Sequence, residues 1–146
     1  SLKMDETHNI NGGYLHALYF DNISDPNSII MLDSLTYLRI ERDFGTFDKW
    51  QEDFIASAMA SRGGWAMMVY SLPLHRYINV VVDSHTIGMP TACIPIICLN
   101  TMEHAYFRDY LSDRKTYIYA MMKEFNWELI ERRVKKAEKI KKIMES

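Results

Sequence analysis

The sequence predicts an α+β fold, and three observations carry that prediction. Residues 65–99 contain three short apolar runs, WAMMVYS (65–71), RYINVVVD (76–83) and CIPIICL (93–99), rich in the β-branched and aromatic residues that suit strands. Helical patterns lie on both sides of them. The resulting order, helices, a small antiparallel sheet, then helices, segregates the two element types along the chain. Residues 1–43 read as an N-terminal helical segment and 44–146 as an α/β domain, together one compact unit.

The elements follow in order. Residues 3–24 place Ile10, Tyr14, Ala17, Leu18 and Phe20 at three- and four-residue spacing, which predicts a helix despite Gly12-Gly13. Two adjacent glycines cost about 2 kcal/mol there relative to alanine, so they point to close approach of another backbone. SDPN (24–27) is a turn, and residues 29–41 read as a second helix. The stretch FGTFDKWQEDFIASAMASRGG predicts a third. Thr46 is its cap, Asp48 lies in its first turn, and Phe47, Phe54, Ile55, Ala58 and Met59 form its apolar stripe. Gly63-Gly64 is expected to end it.

Leu72-Pro73-Leu74 is the turn between the first two strands, with His75 at the surface. SHTIGMP (84–90) connects to the third. Beyond residue 100 the pattern returns to helix, at about 102–109, 113–124 and 127–144. Asn126 caps the last, which buries Ile130, Val134, Ala137, Ile140 and Ile143 and turns a basic face to solvent. Asn100 is expected to start a helix, with Glu103 three residues on completing a reciprocal cap.

The chain has 146 residues, 48% hydrophobic and 25% charged, with a net charge of −2. That length suffices to bury one core. The charge offers no electrostatic case for nucleic acid or acidic lipid. No uninterrupted apolar run is long enough to span a membrane, and no signal-peptide pattern is visible. Cys93 and Cys98 are five positions apart. In a regular strand they point to opposite faces and do not pair, so they read as reduced thiols of a cytoplasmic protein.

Four blocks carry a family resemblance. FGTFDKWQEDFIASAMASRGGWAMMVY resembles the F-G-S-F-x-x-F-x-x-x-F and G-S-G-W-x-W-L stretch of iron/manganese superoxide dismutases. LNTMEHAYFRDY resembles their D-x-W-E-H-A-Y-Y-x-D-Y signature. NGGYLHALYF is similar to G-G-H-x-N-H-x-x-F-W, and FNWELIERR to the terminal N-W-x-x-x-x-x-R. The blocks stand in family order over residues 9–133.

The resemblance implies dismutation of superoxide by one iron or manganese ion, held by three imidazoles, a carboxylate and solvent. It assigns His16 and His104 as ligands and puts Asn100 in the place of the aspartate. An amide oxygen is neutral, so it binds the ion more weakly and favours the reduced state. The remaining histidine belongs to an H-H-x-x-Y-V segment that nothing in residues 1–9 resembles. His8 lies ~12 Å from His16 along a helix and is no simple substitute.

In the pocket, Trp65 is retained, whereas Phe20, Met67 and Met102 stand where tryptophans are usual. Gly12 occupies the site of the usual glutamine. His85 occupies the alternative site and is expected to hydrogen-bond solvent on the metal. Tyr19 and Tyr106 are kept, giving His85 and Tyr19 as the expected catalytic groups. Glu103, with Phe107 in place of a tyrosine, implies a homodimer interface. Three functions are expected from this pattern: a dismutase acting on superoxide with an impaired site, a non-catalytic dimeric homologue, or a binder of another ion such as zinc.

Overall fold

The computed structural model describes residues 17–19, 21–23, 28–61, 64–82, 91–101 and 114–145. The elements, in chain order, are α1 (Leu35–Phe44), α2 (Phe47–Ala60), β1 (Trp65–Ser71), β2 (Arg76–Val82), β3 (Cys93–Asn100), α3 (Arg114–Met122) and α4 (Trp127–Glu145). Residues 17–19 and 21–22 are also helical. The three strands form one antiparallel sheet with β1 in the centre, order β2-β1-β3. This is the expected α+β arrangement. Every residue of β1 is buried, because both of its faces are covered.

The helix expected at 29–41 begins six residues later. Its start is fixed from two directions. The Ser34 hydroxyl accepts from Tyr37 N–H at 3.1 Å. Across the fold, the Glu131 carboxylate accepts from the N–H groups of Leu35 and Thr36 at 2.9 and 2.8 Å, and from the Thr36 hydroxyl at 2.6 Å. These bonds satisfy amides that no helical carbonyl can reach, and a negative charge suits that end. Gly45, at φ +95°, ends α1 in a conformation that favours glycine.

α2 follows the expectation at its start: Lys49 N–H donates to Thr46 Oγ1 at 3.0 Å. The buried stripe is Trp50, Phe54 and Ala58, with Phe47 and Ile55 packed beside it. Met59, expected inside, is 40% exposed. It lies one position beyond the Ala58 row, so it turns off the covered face. The helix ends at Ala60 with Ser61 as cap, ahead of the expected Gly63-Gly64. Phe47, Trp50, Phe54, Phe125 and Trp127 form an aromatic cluster with ring centroids 5.2–6.0 Å apart.

β3 departs from a regular ladder. Met68 pairs with Ile97 but Val69 pairs with Pro95, so Ile96 is an extra residue in a bulge. The bulge corrects the expectation for the cysteines. Cys93 opposes Ser71 and Cys98 opposes Met67, four residues apart on β1, so both thiols face the same side of the sheet. They still do not pair, being ~13 Å apart along the strand, and both are free.

α4 starts as expected, with Leu129 N–H donating to Asn126 Oδ1 at 3.1 Å. Ile130, Val134 and Ala137 are buried. Ile140 and Ile143 are 41% and 72% exposed, contrary to expectation. The predicted apolar face continues past the point where other elements cover it. Glu138 anchors α4 to α1 and β2: Arg39 donates to both of its carboxylate oxygens at 2.8 and 2.9 Å, and the Tyr77 hydroxyl donates at 2.8 Å. His75 is at the surface of the β1–β2 turn with φ 56°.

Candidate metal centre

The sheet brings four of the sequence-assigned residues together. Asn100 is the last residue of β3 and opposes Trp65, the first of β1. It is the last strand residue, and the helix expected at about 102–109 lies outside the described residues. It is also buried, at 4% exposure. Two residues inward, Cys98 opposes Met67. Alternation puts Trp65, Met67, Cys98 and Asn100 on one face of the sheet. Tyr19 meets this face, its ring edge-on to Trp65 at 5.8 Å between centroids.

A chain of hydroxyls joins these parts. Tyr117, on α3, donates to the main-chain carbonyl of Asn100 at 3.1 Å. The Tyr19 and Tyr117 hydroxyl oxygens are 3.1 Å apart. Because the Tyr117 proton is directed at Asn100, Tyr19 is the donor between them. Burial pushes the Tyr19 hydroxyl's pKa above its ordinary value, with the Tyr117 bond opposing. Beyond Asn100 the chain is held again: Thr101 N–H donates to Gly64 O at 2.8 Å, and the Thr101 hydroxyl to Ser61 Oγ at 2.6 Å.

His16, Phe20, His85, Met102, Glu103, His104, Tyr106 and Phe107 lie outside the described residues. Among the described residues, no three of His, Cys, Asp and Glu gather as a metal site. Sequence reasoning missed Tyr117, whose hydroxyl reaches Asn100 from 17 positions away. Its only signal is a tyrosine on the covered side of a helix, a position where the hydroxyl must find a partner.

A profile of iron/manganese superoxide dismutases, C-terminal domain, matches residues 34–133. The chain belongs to the iron/manganese superoxide dismutase family. It is 38% identical over 122 residues to a superoxide dismutase [Mn] of Haloarcula marismortui, covering 84% of this chain and 59% of that protein. It is 36% identical over 138 residues to a superoxide dismutase [Fe] of Aquifex pyrophilus, covering 94% of this chain and 64% of that protein. A superoxide dismutase [Mn] of Haloarcula hispanica is 40% identical over 114 residues, 78% of each chain. The chain thus spans about six-tenths of the length of the first two relatives. Asn100, at the buried end of β3, lies within the stretch that this family profile matches.

The donors assigned to the ion fit a divalent iron or manganese. Imidazole nitrogens and an amide oxygen are ligands that such ions accept. Asn100 is buried, and its main chain is held by Tyr117 and, one residue on, by Gly64.

Proposed function

We propose that this chain is a superoxide dismutase-family protein with a weakened metal centre, holding iron or manganese loosely as the divalent ion and turning over superoxide slowly. One observation carries this reading: a neutral amide, Asn100, stands at the buried strand end where the family signature has a carboxylate. His16 and His104 are the imidazole donors in this reading. When bound, the ion supplies the electron exchange with superoxide. The chain's own residues wall the site with Trp65 and Met67, and they orient the Tyr19 hydroxyl through Tyr117. His85 is the proposed hydrogen-bonding partner for solvent at the site.

Glu103, kept together with His104 in the E-H-A-Y signature, supports a homodimer, with Phe107 at the interface in place of the usual tyrosine. Two unpaired thiols in a protein of this size support a reducing, cytoplasmic compartment. The division of the chain into a helical segment, 1–43, and a sheet-containing domain, 44–146, is part of the same proposal.

Elemental analysis and superoxide-consumption kinetics test the function. Protein expressed with excess iron and manganese should carry well under one equivalent of either. Its activity should fall about 100-fold below that of the Haloarcula relatives, the scale of losing a key metal contact. Near-stoichiometric metal, together with superoxide scavenging abolished by His104→Ala, overturns the reading.

A further inference from the structure

We propose that Asn22 is a positioning residue for the metal centre, its side-chain amide fixing the helical segment that carries Tyr19 to the edge of β3 beside Asn100. The proposal rests on the reading of Asn100 as a metal-facing position. Asn22 is fully buried. Its Nδ2 donates to Tyr19 O at 2.7 Å and to Cys98 O at 3.1 Å. Cys98 N–H donates back to Asn22 Oδ1 at 2.7 Å. Among the described residues β3 is an edge strand, so the outward-facing N–H and C=O of Cys98 have no neighbouring strand there to pair with. One amide supplies both bonds, in the way that a hydrogen-bonded residue pair does in an antiparallel ladder.

The clamp is braced from α4. Arg133 Nη1 donates to Asn22 Oδ1 at 3.4 Å and to Ile96 O, in the bulge, at 2.9 Å. Its Nη2 donates to Leu18 O at 3.0 Å. Asn126 N–H, at the cap of α4, donates to the main-chain oxygen of Asn22 at 2.6 Å. Three segments distant in sequence therefore share one node. Only an amide serves there, because the node needs two donors and an acceptor on one short side chain. An aspartate lacks the donors, and a leucine lacks both.

Cys98 is two residues from Asn100 on the same face of the strand. Tyr19 lies three residues before Asn22 and His16 six residues before it in the sequence. Displacing the helical segment along the β3 edge would move Tyr19 relative to Asn100 and Trp65.

Mn2+ titration followed by the electron paramagnetic resonance of the free ion tests this, using full-length chains. Asn100→Asp should bind Mn2+ about tenfold more tightly than the wild type. Adding Asn22→Ala to that protein should cost about tenfold, the usual loss for a partner that orients a ligand. Asn22→Ser replaces it if the alanine variant does not fold. The control is an Ile40 truncation in the Asn100→Asp background, to valine or alanine, whichever matches the loss of thermal midpoint. Ile40 is buried on α1, and its affinity should stay within about twofold. Equal losses in the control and the Asn22 variant, or none in the Asn22 variant, overturn the clamp while leaving the reading of Asn100 intact. No gain from Asn100→Asp overturns that reading, and the clamp falls with it.

Discussion

Tyr117 holds Asn100 by its main chain, not its side chain: the phenol hydroxyl donates to the Asn100 carbonyl at 3.1 Å, and Tyr19 stands behind it at 3.1 Å. The order of donation makes the two tyrosines unequal. Tyr117→Phe removes a donor from a buried carbonyl and an acceptor from the Tyr19 hydroxyl. Tyr19→Phe leaves the Asn100 carbonyl satisfied. Tyr117→Phe should therefore cost about 2 kcal/mol and Tyr19→Phe about 1 kcal/mol. Urea denaturation of both variants checks this, and a larger loss for Tyr19→Phe would contradict the assigned direction of donation.

Glu131 makes a second prediction, about pH. Burial pushes its carboxyl up, but the bonds from the Thr36 hydroxyl and the Thr36 and Leu35 amides outweigh burial, with Lys135 adding to them, and its pKa lies below the ordinary value. A carboxyl whose folded pKa is lowered stabilises the fold above its unfolded pKa, about 4.3. That contribution is lost as pH falls through the folded value. Glu131→Gln should thus be less stable than the wild type at pH 7, and the gap should be smaller at pH 4. Glu131→Ala should lose about 2 kcal/mol at pH 7, because α1 is then left uncapped by its distant partner. Urea midpoints at the two pH values are the measurement.

That same residue shows where sequence reading stops. β1 was legible because WAMMVYS is a continuous apolar run, and Thr46 and Asn126 were legible as caps because a cap acts within three residues of itself. The start of α1 was not, because the Glu131 carboxylate that caps it is 95 positions away. The Ile96 bulge had one local hint, Pro95 beside it, since proline inside a strand run points to an edge or a bulge; the bulge's effect, reversing which face every earlier side chain of β3 occupies, needs the partner strand to be seen. The convergence of Tyr19, Trp65, Met67 and Asn100 was anticipated from the family signatures. Tyr117 and Asn22, which hold them in place, were not, since their partners lie 17 and 76 positions away.

Asn100→Asp also predicts a change in the metal-free protein. A carboxylate at a position this buried lacks solvent, and burial without a counter-charge raises its folded pKa. Such a group destabilises the fold most at neutral pH, and the penalty fades as pH falls toward the unfolded value of about 3.9. The metal-free variant should therefore be about 2 kcal/mol less stable than the wild type at pH 7 and closer to it at pH 4.5. Added Mn2+ should restore stability at pH 7 by binding the folded state. Its activity should remain well below that of the Haloarcula relatives, because Met67 still fills a wall of the site that is tryptophan in the family pattern. Thermal melts with and without the ion, alongside superoxide-consumption rates, check each part.

The two thiols provide the last prediction, because the bulge puts them on one face but not in one environment. Cys98 is fully buried against the Asn22 node, and burial pushes its pKa up to about 12, with the Arg133 charge opposing. Thiol reagents attack the thiolate, so Cys98 should be inert in the folded protein at pH 8. Cys93 is only half-buried at the start of β3. An aromatic disulfide reagent should therefore label one thiol in the native chain and two in denaturant. Asn22→Ala should expose the second thiol without denaturant, because the β3 edge loses the amide that covers both main-chain groups of Cys98. Rapid labelling of both thiols in the wild type would show that the edge of β3 opens freely and is not held by that amide.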